Sequence, residues 1–282
     1  MDRRQGLLAG RAPADPGHVK AVRAFALAGV LLAGCTAQPP AATSPAPAPA
    51  PVRRSGFADM SPATQAMQRD DGANPAMLWV QDGRLLWARA EGPQSKSCAS
   101  CHGDAGSLRG VAARYPAWDD RLARPVDLAM RINLCRERHQ RLPPWAPEHQ
   151  DLLALEALVG LQSRGMAVAP PADPRLRPFR ERGAALFNRR AGQLDLSCAQ
   201  CHDERAGGKL GGTVIPQGQA NGYPAYRLEW QALGSLGRRI RNCMAGVRAE
   251  PPAYGSQDMV ELELHLAVRA MGMPVETPAV RP

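Results

Sequence analysis

Apolar residues recur at helical spacing in three segments of each half of the chain. Leu152, Leu155 and Val159, for example, follow one another at three- and four-residue intervals, the period of an amphipathic helix. Strand-like alternation is nearly absent, so the pattern predicts an all-α protein. The predicted helices span residues 77–90, 125–139 and 148–164 in the first half, and 180–190, 230–245 and 256–270 in the second.

A short apolar stretch near the start of the chain predicts export. Residues 24–33 are apolar, follow Lys20 and Arg23, and lead through Leu-Ala-Gly to Cys35. This arrangement is typical of a secretory signal with small residues before the cleavage site, and it is too short for a transmembrane helix. We predict a lipoprotein-type signal peptide over residues 1–34 and a periplasmic protein acylated at Cys35. An ordinary signal peptide is the alternative.

The segment after Cys35 cannot build a core, because it is rich in alanine, proline and serine and has almost no large apolar residue. We predict a disordered Pro/Ala-rich tether over residues 35–56. The remaining chain is long enough for two small domains, which we place at residues 57–168 and 169–282.

The two predicted domains repeat each other beyond their helices. Tyr115-Pro116-Ala117-Trp118 matches Tyr223-Pro224-Ala225-Tyr226, and in each half a lone cysteine follows the tyrosine by 20 residues. Before this tyrosine the second half has eight additional residues, rich in glycine. Two copies of one domain explain these matches.

Each copy carries a Cys-x-x-Cys-His motif, which is typical of covalent c-type haem attachment. The two thiols join the haem vinyl groups, and the histidine ligates the iron from one side. The sequence therefore predicts two tandem cytochrome c-like domains with two covalently bound c-type haems. The motif residues are Cys98, Cys101 and His102 in the first half and Cys198, Cys201 and His202 in the second.

The lone cysteines, Cys135 and Cys243, need partners, because free thiols are unusual in an oxidising compartment. We predict that each is the second axial ligand of its haem iron, where an anionic thiolate lowers the reduction potential. One alternative is a disulfide between them. Another is methionine ligation, for which the candidates are Met130, Met166, Met244 and Met273.

The positive net charge of the chain indicates that its substrates or partners are anionic. The net charge of the chain is +9, which favours anionic substrates or partners, and nothing in the sequence is typical of a nucleic-acid-binding module. Arg239 precedes Cys243 by four residues, so the two share a helix face. A nearby cation stabilises a thiolate and can bind an oxyanion through charge-assisted hydrogen bonds.

At this point the chain resembles a known family. The matching segments resemble SoxA, the dihaem cytochrome subunit of the SoxAX complexes of bacterial thiosulfate oxidation, and the resemblance extends from about Met77 to the C-terminus. The departure is Cys35, because members of the family are usually soluble and periplasmic. The segments that carry it are residues 222–228, Leu233-Gly234-Ser235-Leu236, residues 239–243 and Arg248-Ala249-Glu250-Pro251.

The resemblance implies an enzyme, an L-cysteine S-thiosulfotransferase that joins thiosulfate oxidatively to a cysteine of the SoxYZ carrier protein. Two electrons would pass through haem to a c-type cytochrome, and a monohaem cytochrome, SoxX, would complete a heterodimer. By the same resemblance, Cys243 is catalytic and carries a persulfide, Arg239 binds the substrate anion, and Arg248 is a further candidate for the anion pocket. Membrane contact would occur only through the lipid at Cys35.

Two other functions stay open at the level of sequence. One is a dihaem electron carrier without sulfur chemistry, and the other is a thiosulfate dehydrogenase that forms tetrathionate. The resemblance implies that the haem at Cys98, Cys101, His102 and Cys135 is structural or vestigial.

Overall fold

Helices carry most of the regular structure in residues 52–282, which are the residues that the computed structural model describes. The predicted signal peptide, Cys35 and most of the predicted tether lie outside them. Within residues 52–282, no helix is long and apolar enough to cross a bilayer. The helices are α1 (Pro62–Arg69), α2 (Ala76–Ala88), α3 (Cys98–His102), α4 (Leu128–Cys135), α5 (Gln150–Leu161), α6 (Arg177–Asn188), α7 (Cys198–His202), α8 (Leu236–Gly246) and α9 (Gln257–Arg269).

Short strands accompany the helices, which the all-α prediction did not include. Strands β1 (Ala117–Asp119) and β2 (Arg124–Val126) form an antiparallel hairpin, as do β3 (Lys209–Leu210) and β4 (Thr213–Val214). In the second half, β5 (Ala225–Arg227) pairs antiparallel with β6 (Ala232–Gly234) and parallel with β7 (Ala279–Arg281).

The predicted helices 125–139 and 230–245 therefore begin too early, because β2 and β6 occupy their first residues. Strands of two or three residues are too short for an alternating pattern to reveal them. The two hairpins still correspond: each turns through a non-glycine residue with positive φ, Ala123 in the first and Gln231 in the second.

The main helix pairs are built alike in the two halves. Helix α2 packs against α5, and α6 packs against α9. Gly83 faces the carbonyl of Ala154 at the first crossing, and Gly183 faces the carbonyl of Glu261 at the second. A Cβ atom at either glycine would overlap these backbone atoms, so the absence of a side chain is what permits the close approach.

The halves also meet in an interior cavity of about 330 Å³. Asp127, the N-cap of α4, hydrogen-bonds Glu263 of α9, and Ser235, the N-cap of α8, donates its hydroxyl to Glu148. Each half thus caps a helix with the help of the other. Glu156 of α5 lines the same cavity and is buried.

The first described residues, 52–54, pack on the second half, although they precede the first half in the sequence. The amide of Arg54 donates to Gln217 Oε1 at 2.7 Å, and Gln217 Nε2 donates to the Val52 carbonyl at 3.1 Å. Farther along, Asn74 Nδ2 donates to the Pro278 carbonyl at 2.9 Å, beside the point where α1 contacts β7. The start and the end of the described chain are thereby held together.

Candidate functional site

The two Cys-x-x-Cys-His motifs form the short helices α3 and α7. Ser97 and Ser197 cap these helices, and each cap is reciprocated three residues later by Ser100 or Gln200 in a capping box. This arrangement satisfies the first backbone donors of the helix. It also fixes where the helix begins, so both thiols and the histidine project from one defined turn.

His202 is oriented by the segment that joins α7 to β5. Its Nδ1 forms a 2.8 Å hydrogen bond with the Pro216 carbonyl. Gly218 has a φ of +67°, and a Cβ there would lie 2.9 Å from His202 Cγ, so the ring occupies the space that a side chain would take. This segment carries the eight additional residues of the second half. The additional residues are visible in the sequence, but no local pattern connects them with His202.

Cys243 lies on α8 and meets His202 from the other side. The two side chains are within hydrogen-bonding reach of each other. Cys243 is exposed. Partial desolvation by its neighbours opposes ionisation of the thiol, but the hydrogen bond to His202 and the charges of Arg239 and Arg227 outweigh it and lower the pKa of Cys243. Burial likewise opposes protonation of the imidazole, and the hydrogen bonds with Cys243 and Pro216 raise the pKa of His202.

This donor set fits a c-type haem. Because Nδ1 of His202 is engaged by a carbonyl, Nε2 is the nitrogen left for iron. The thiols of Cys198 and Cys201 are free on the same helix, and Cys243 offers a sulfur on the opposite face. The second half therefore brings together two thiols, an imidazole and a facing cysteine sulfur, a set of donors that could hold a c-type haem.

The disulfide and two of the four methionine alternatives for the sixth ligand receive no support from the geometry. All six cysteines in residues 52–282 are free, so no disulfide joins Cys135 to Cys243. Met273 is buried in an apolar cluster with Ala113 and Val168, and the methyl group of Met166 packs against Gly110. Met273 thus fills a gap between the halves, and Met166 fills one within the first half.

The first half repeats the motif with a different environment. Cys135 ends α4 beside Cys98 and Cys101, and burial raises the pKa of its thiol although Arg131 and Arg138 act against this. His102 is exposed, with its ring centroid 5.9 Å from that of Trp87. The four predicted haem residues of this half are thus gathered, with less burial around the histidine than around His202.

Among the arginines near Cys243, Arg239 is the one left available. Arg238 stacks on the Trp230 ring at 4.1 Å, and Arg241 stacks on Tyr254 at 4.9 Å while also donating to the Pro252 carbonyl. The Arg239 side chain is 32% exposed and lies 3.7 Å from Glu229, beyond hydrogen-bonding distance. One turn of helix separates it from Cys243.

Arg248, the other arginine predicted for an anion pocket, is engaged elsewhere. It is exposed and follows the C-terminal end of α8, where its Nη1 lies 3.4 Å from Gln193 Oε1. Arg248 thus contacts the loop before α7, whereas Arg239 lies on the same face of α8 as Cys243.

Comparison with known proteins decides the family. A family model described as "SoxA/TsdA, cytochrome c domain" matches residues 82–168 and 182–275. The chain is also 38% identical over 229 residues to the L-cysteine S-thiosulfotransferase subunit SoxA of Pseudaminobacter salicylatoxidans, with 80% of each chain covered. The chain belongs to the SoxA family. Its members carry cytochrome c domains, so covalently bound haem is expected of the motif cysteines.

Further relatives agree with this assignment. The SoxA subunit of Rhodovulum sulfidophilum is 38% identical over 81% of this chain and 80% of its own length. The crystal structure of SoxXA from P. pantotrophus superposes with a TM-score of 0.79 at 35% identity, covering 82% of this chain and 87% of that one. The likeness therefore spans both halves of the described chain.

Proposed function

We propose that this protein is the catalytic subunit of an L-cysteine S-thiosulfotransferase. It joins thiosulfate oxidatively to a cysteine of a SoxYZ carrier protein. The observation that carries the proposal is the meeting of His202, Cys243 and Arg239: an imidazole suited to haem iron, an ionisable sulfur, and a guanidinium whose contact with Glu229, at 3.7 Å, is longer than a hydrogen bond. A sulfur that faces a redox centre beside an anion-binding cation suits sulfur transfer better than electron transfer alone, which needs no such cation.

The reaction balances as follows. A new sulfur–sulfur bond forms between the carrier cysteine and thiosulfate, the product is a cysteine S-thiosulfonate, and one proton and two electrons are released. Arg239 binds the oxyanion end of thiosulfate through charge-assisted hydrogen bonds. Cys243, as a thiolate or persulfide, presents sulfur to the incoming substrate. Arg248 is a second candidate for the anion pocket.

Covalently bound haem supplies the path by which the electrons leave. We assign two haems to the chain, one held by Cys198, Cys201, His202 and Cys243 and one by Cys98, Cys101, His102 and Cys135. The electron acceptor is a c-type cytochrome. The two haem halves are tandem cytochrome c domains at residues 57–168 and 169–282, preceded by the signal peptide and the tether.

We further propose a monohaem SoxX partner and a periplasmic location. The partner is supported by the likeness to a SoxXA structure, and the location by the apolar stretch that precedes Cys35. Acylation of Cys35 would attach the protein to a membrane through lipid alone.

The test is conjugation of thiosulfate to the carrier by the complete complex. With the SoxX partner and SoxYZ present, the wild-type protein should add one thiosulfonate group to the carrier cysteine, measured by mass spectrometry. Cys243→Ala should keep both covalent haems, measured by the haem absorbance of the denatured protein, and lose the conjugation. Full conjugation by Cys243→Ala would refute the assignment.

The same assay separates the other functions. Tetrathionate formed in the absence of carrier would identify a thiosulfate dehydrogenase. Reduction and oxidation of the haems without any sulfur product would identify an electron carrier. A mass increase of one sulfur atom on the Cys243 peptide would support the persulfide.

A further inference from the structure

One position near the lone cysteine carries opposite charges in the two halves. Strand β1 ends in Asp119 and strand β5 ends in Arg227, at the same place in the two corresponding hairpins. Arg131 and Arg239 also correspond, because each lies four residues before the lone cysteine of its half. The environment of these two arginines is therefore directly comparable.

In the first half, Asp119 engages the arginines around Cys135. It is 3% exposed, accepts hydrogen bonds from both Nη atoms of Arg138 at 3.0 and 3.1 Å, and lies 2.9 Å from Arg131 Nη1. A buried carboxylate in this geometry holds both guanidinium groups firmly. Arg131 is consequently not available to an additional anion.

In the second half, the nearby carboxylate is that of Glu229, and Arg227 holds it. Arg227 Nε donates to Glu229 Oε1 at 2.8 Å, and the Arg227 side chain is only 10% exposed. Trp230 lies 5.2 Å from the Arg227 guanidinium and helps to fix it. Arg239 stays 3.7 Å from the same Glu229 oxygen, so it shares the field of the carboxylate without a hydrogen bond to it.

We propose that Arg227 is a positioning residue for the substrate anion: it retains Glu229 and so leaves Arg239 free to bind a sulfur oxyanion beside Cys243. Asp119 at the corresponding place commits Arg131 and excludes the first half from this chemistry. The inference rests on the proposed function and adds to it a residue that the sequence analysis did not single out. Arg227 itself is too buried to be the primary contact of the anion.

The expected effect is on substrate binding. In Arg227→Gln, Glu229 loses its partner and turns to Arg239. The KM for thiosulfate should rise about ten-fold or more, the range expected when a charged hydrogen bond to the anion is lost, while kcat stays within about three-fold because Cys243 keeps its contact with His202. Arg227→Lys keeps the ion pair and should restore most of the affinity.

The decisive comparison is the double variant Arg227→Gln/Glu229→Gln. With the carboxylate removed, Arg239 is free again, so the KM should return close to the wild-type value. Glu229→Gln alone, at an exposed side chain, should have a KM at or below that of the wild type. Arg164→Gln, which removes an arginine from an exposed ion pair with Asp71, controls for the loss of one positive charge.

These measurements use the complete complex with SoxYZ and thiosulfate. A double variant with a KM as high as Arg227→Gln would show that Arg227 acts structurally and would overturn the proposal, as would an unchanged KM in Arg227→Gln. If Arg227→Gln fails to retain haem, the variants Arg227→Lys and Glu229→Gln test the proposal instead. A raised KM in Glu229→Gln, or loss of most of the affinity in Arg227→Lys, would overturn it. Failure of the wild-type protein to conjugate thiosulfate would instead refute the proposed function.

Discussion

Cys243 and Cys135 occupy matched places on matched helices, and the groups around them set their sulfurs apart. Cys243 has a histidine within hydrogen-bonding reach and two guanidinium charges that favour the thiolate. Around Cys135 the arginines are held by Asp119, and burial raises the pKa of the thiol. The same motif therefore occurs in two electrostatic environments: Arg131 is held by the buried Asp119, whereas Arg239 lies 3.7 Å from the exposed Glu229.

Gly218 tests how strictly His202 is oriented. In Gly218→Ala the new Cβ would overlap the imidazole ring, so we expect His202 to move and the low-spin spectrum of the second haem to weaken. The measurement is electron paramagnetic resonance of the oxidised protein. Gly207→Ala is the matched control, because Gly207 also has a positive φ but faces open space. An unchanged spectrum in Gly218→Ala would mean that the Pro216 hydrogen bond suffices.

The two arginines that the sequence proposed for the anion pocket should behave differently. Arg239→Gln should raise the KM for thiosulfate roughly ten- to hundred-fold, because a charged hydrogen bond to the anion is lost. Arg248→Gln should raise it less, because the Arg248 side chain is exposed and directed to Gln193. Steady-state conjugation of thiosulfate to SoxYZ measures both, and equal effects would place Arg248 in the pocket as well.

The helix crossings depend on glycines that look unremarkable in the sequence. Gly83 and Gly183 allow α2 to approach α5 and α6 to approach α9 at a distance that no other residue permits. Both haem helices follow directly from α2 and α6 along the chain, so these crossings set where the motif cysteines lie. We expect a side chain added at either crossing to lower the free energy of unfolding.

Gly183→Ala should lower the free energy of unfolding by about 1–3 kcal/mol, the usual cost of overpacking. Gly246→Ala is the matched change, because it lies in α8 with no atom near its missing Cβ, and it should be neutral or stabilising by up to about 1 kcal/mol. Denaturant titration followed by far-ultraviolet circular dichroism compares the two. Equal stabilities would show that the crossing relaxes without cost.

Much of this arrangement was predictable at the level of elements. The helical period located α2, α4, α5, α6, α8 and α9 but missed α1, which is as short as α4. The spacing of cysteine and histidine picked out both Cys-x-x-Cys-His motifs. The strands were missed because they are two or three residues long. The contacts of His202 with Pro216 and of Arg227 with Glu229 depend on the path of loops, which no local pattern encodes.

Considered as a whole, the molecule buries carboxyl groups where its halves meet. Burial raises the pKa of Glu156 well above its usual value, and the nearby Asp127 and Glu148 add to the effect. Burial also raises the pKa of Glu263, and the neighbouring carboxyl groups of Asp127 and Glu156 add to the effect. Such groups keep their protons in the folded state after the unfolded chain has lost them.

The sign of the pH dependence follows from that difference. Above the unfolded pKa of about 4.3, the folded state binds more protons, so the free energy of unfolding falls as pH rises toward the folded pKa, by about 1.4 kcal/mol per pH unit for each such group. Glu156→Gln should therefore gain stability relative to the wild type at pH 8 but not at pH 4. Glu181→Gln, at an exposed carboxylate, should show no such difference.

The packing of residues 52–54 on Gln217 has a mechanical consequence. Gln217 lies between Pro216 and Gly218, the two residues that hold the His202 ring. Any force that reaches the protein through its N-terminal side is delivered to this loop before it reaches the haem motif of the first half. A tether attached there would pull first on the loop that orients the His202 ring.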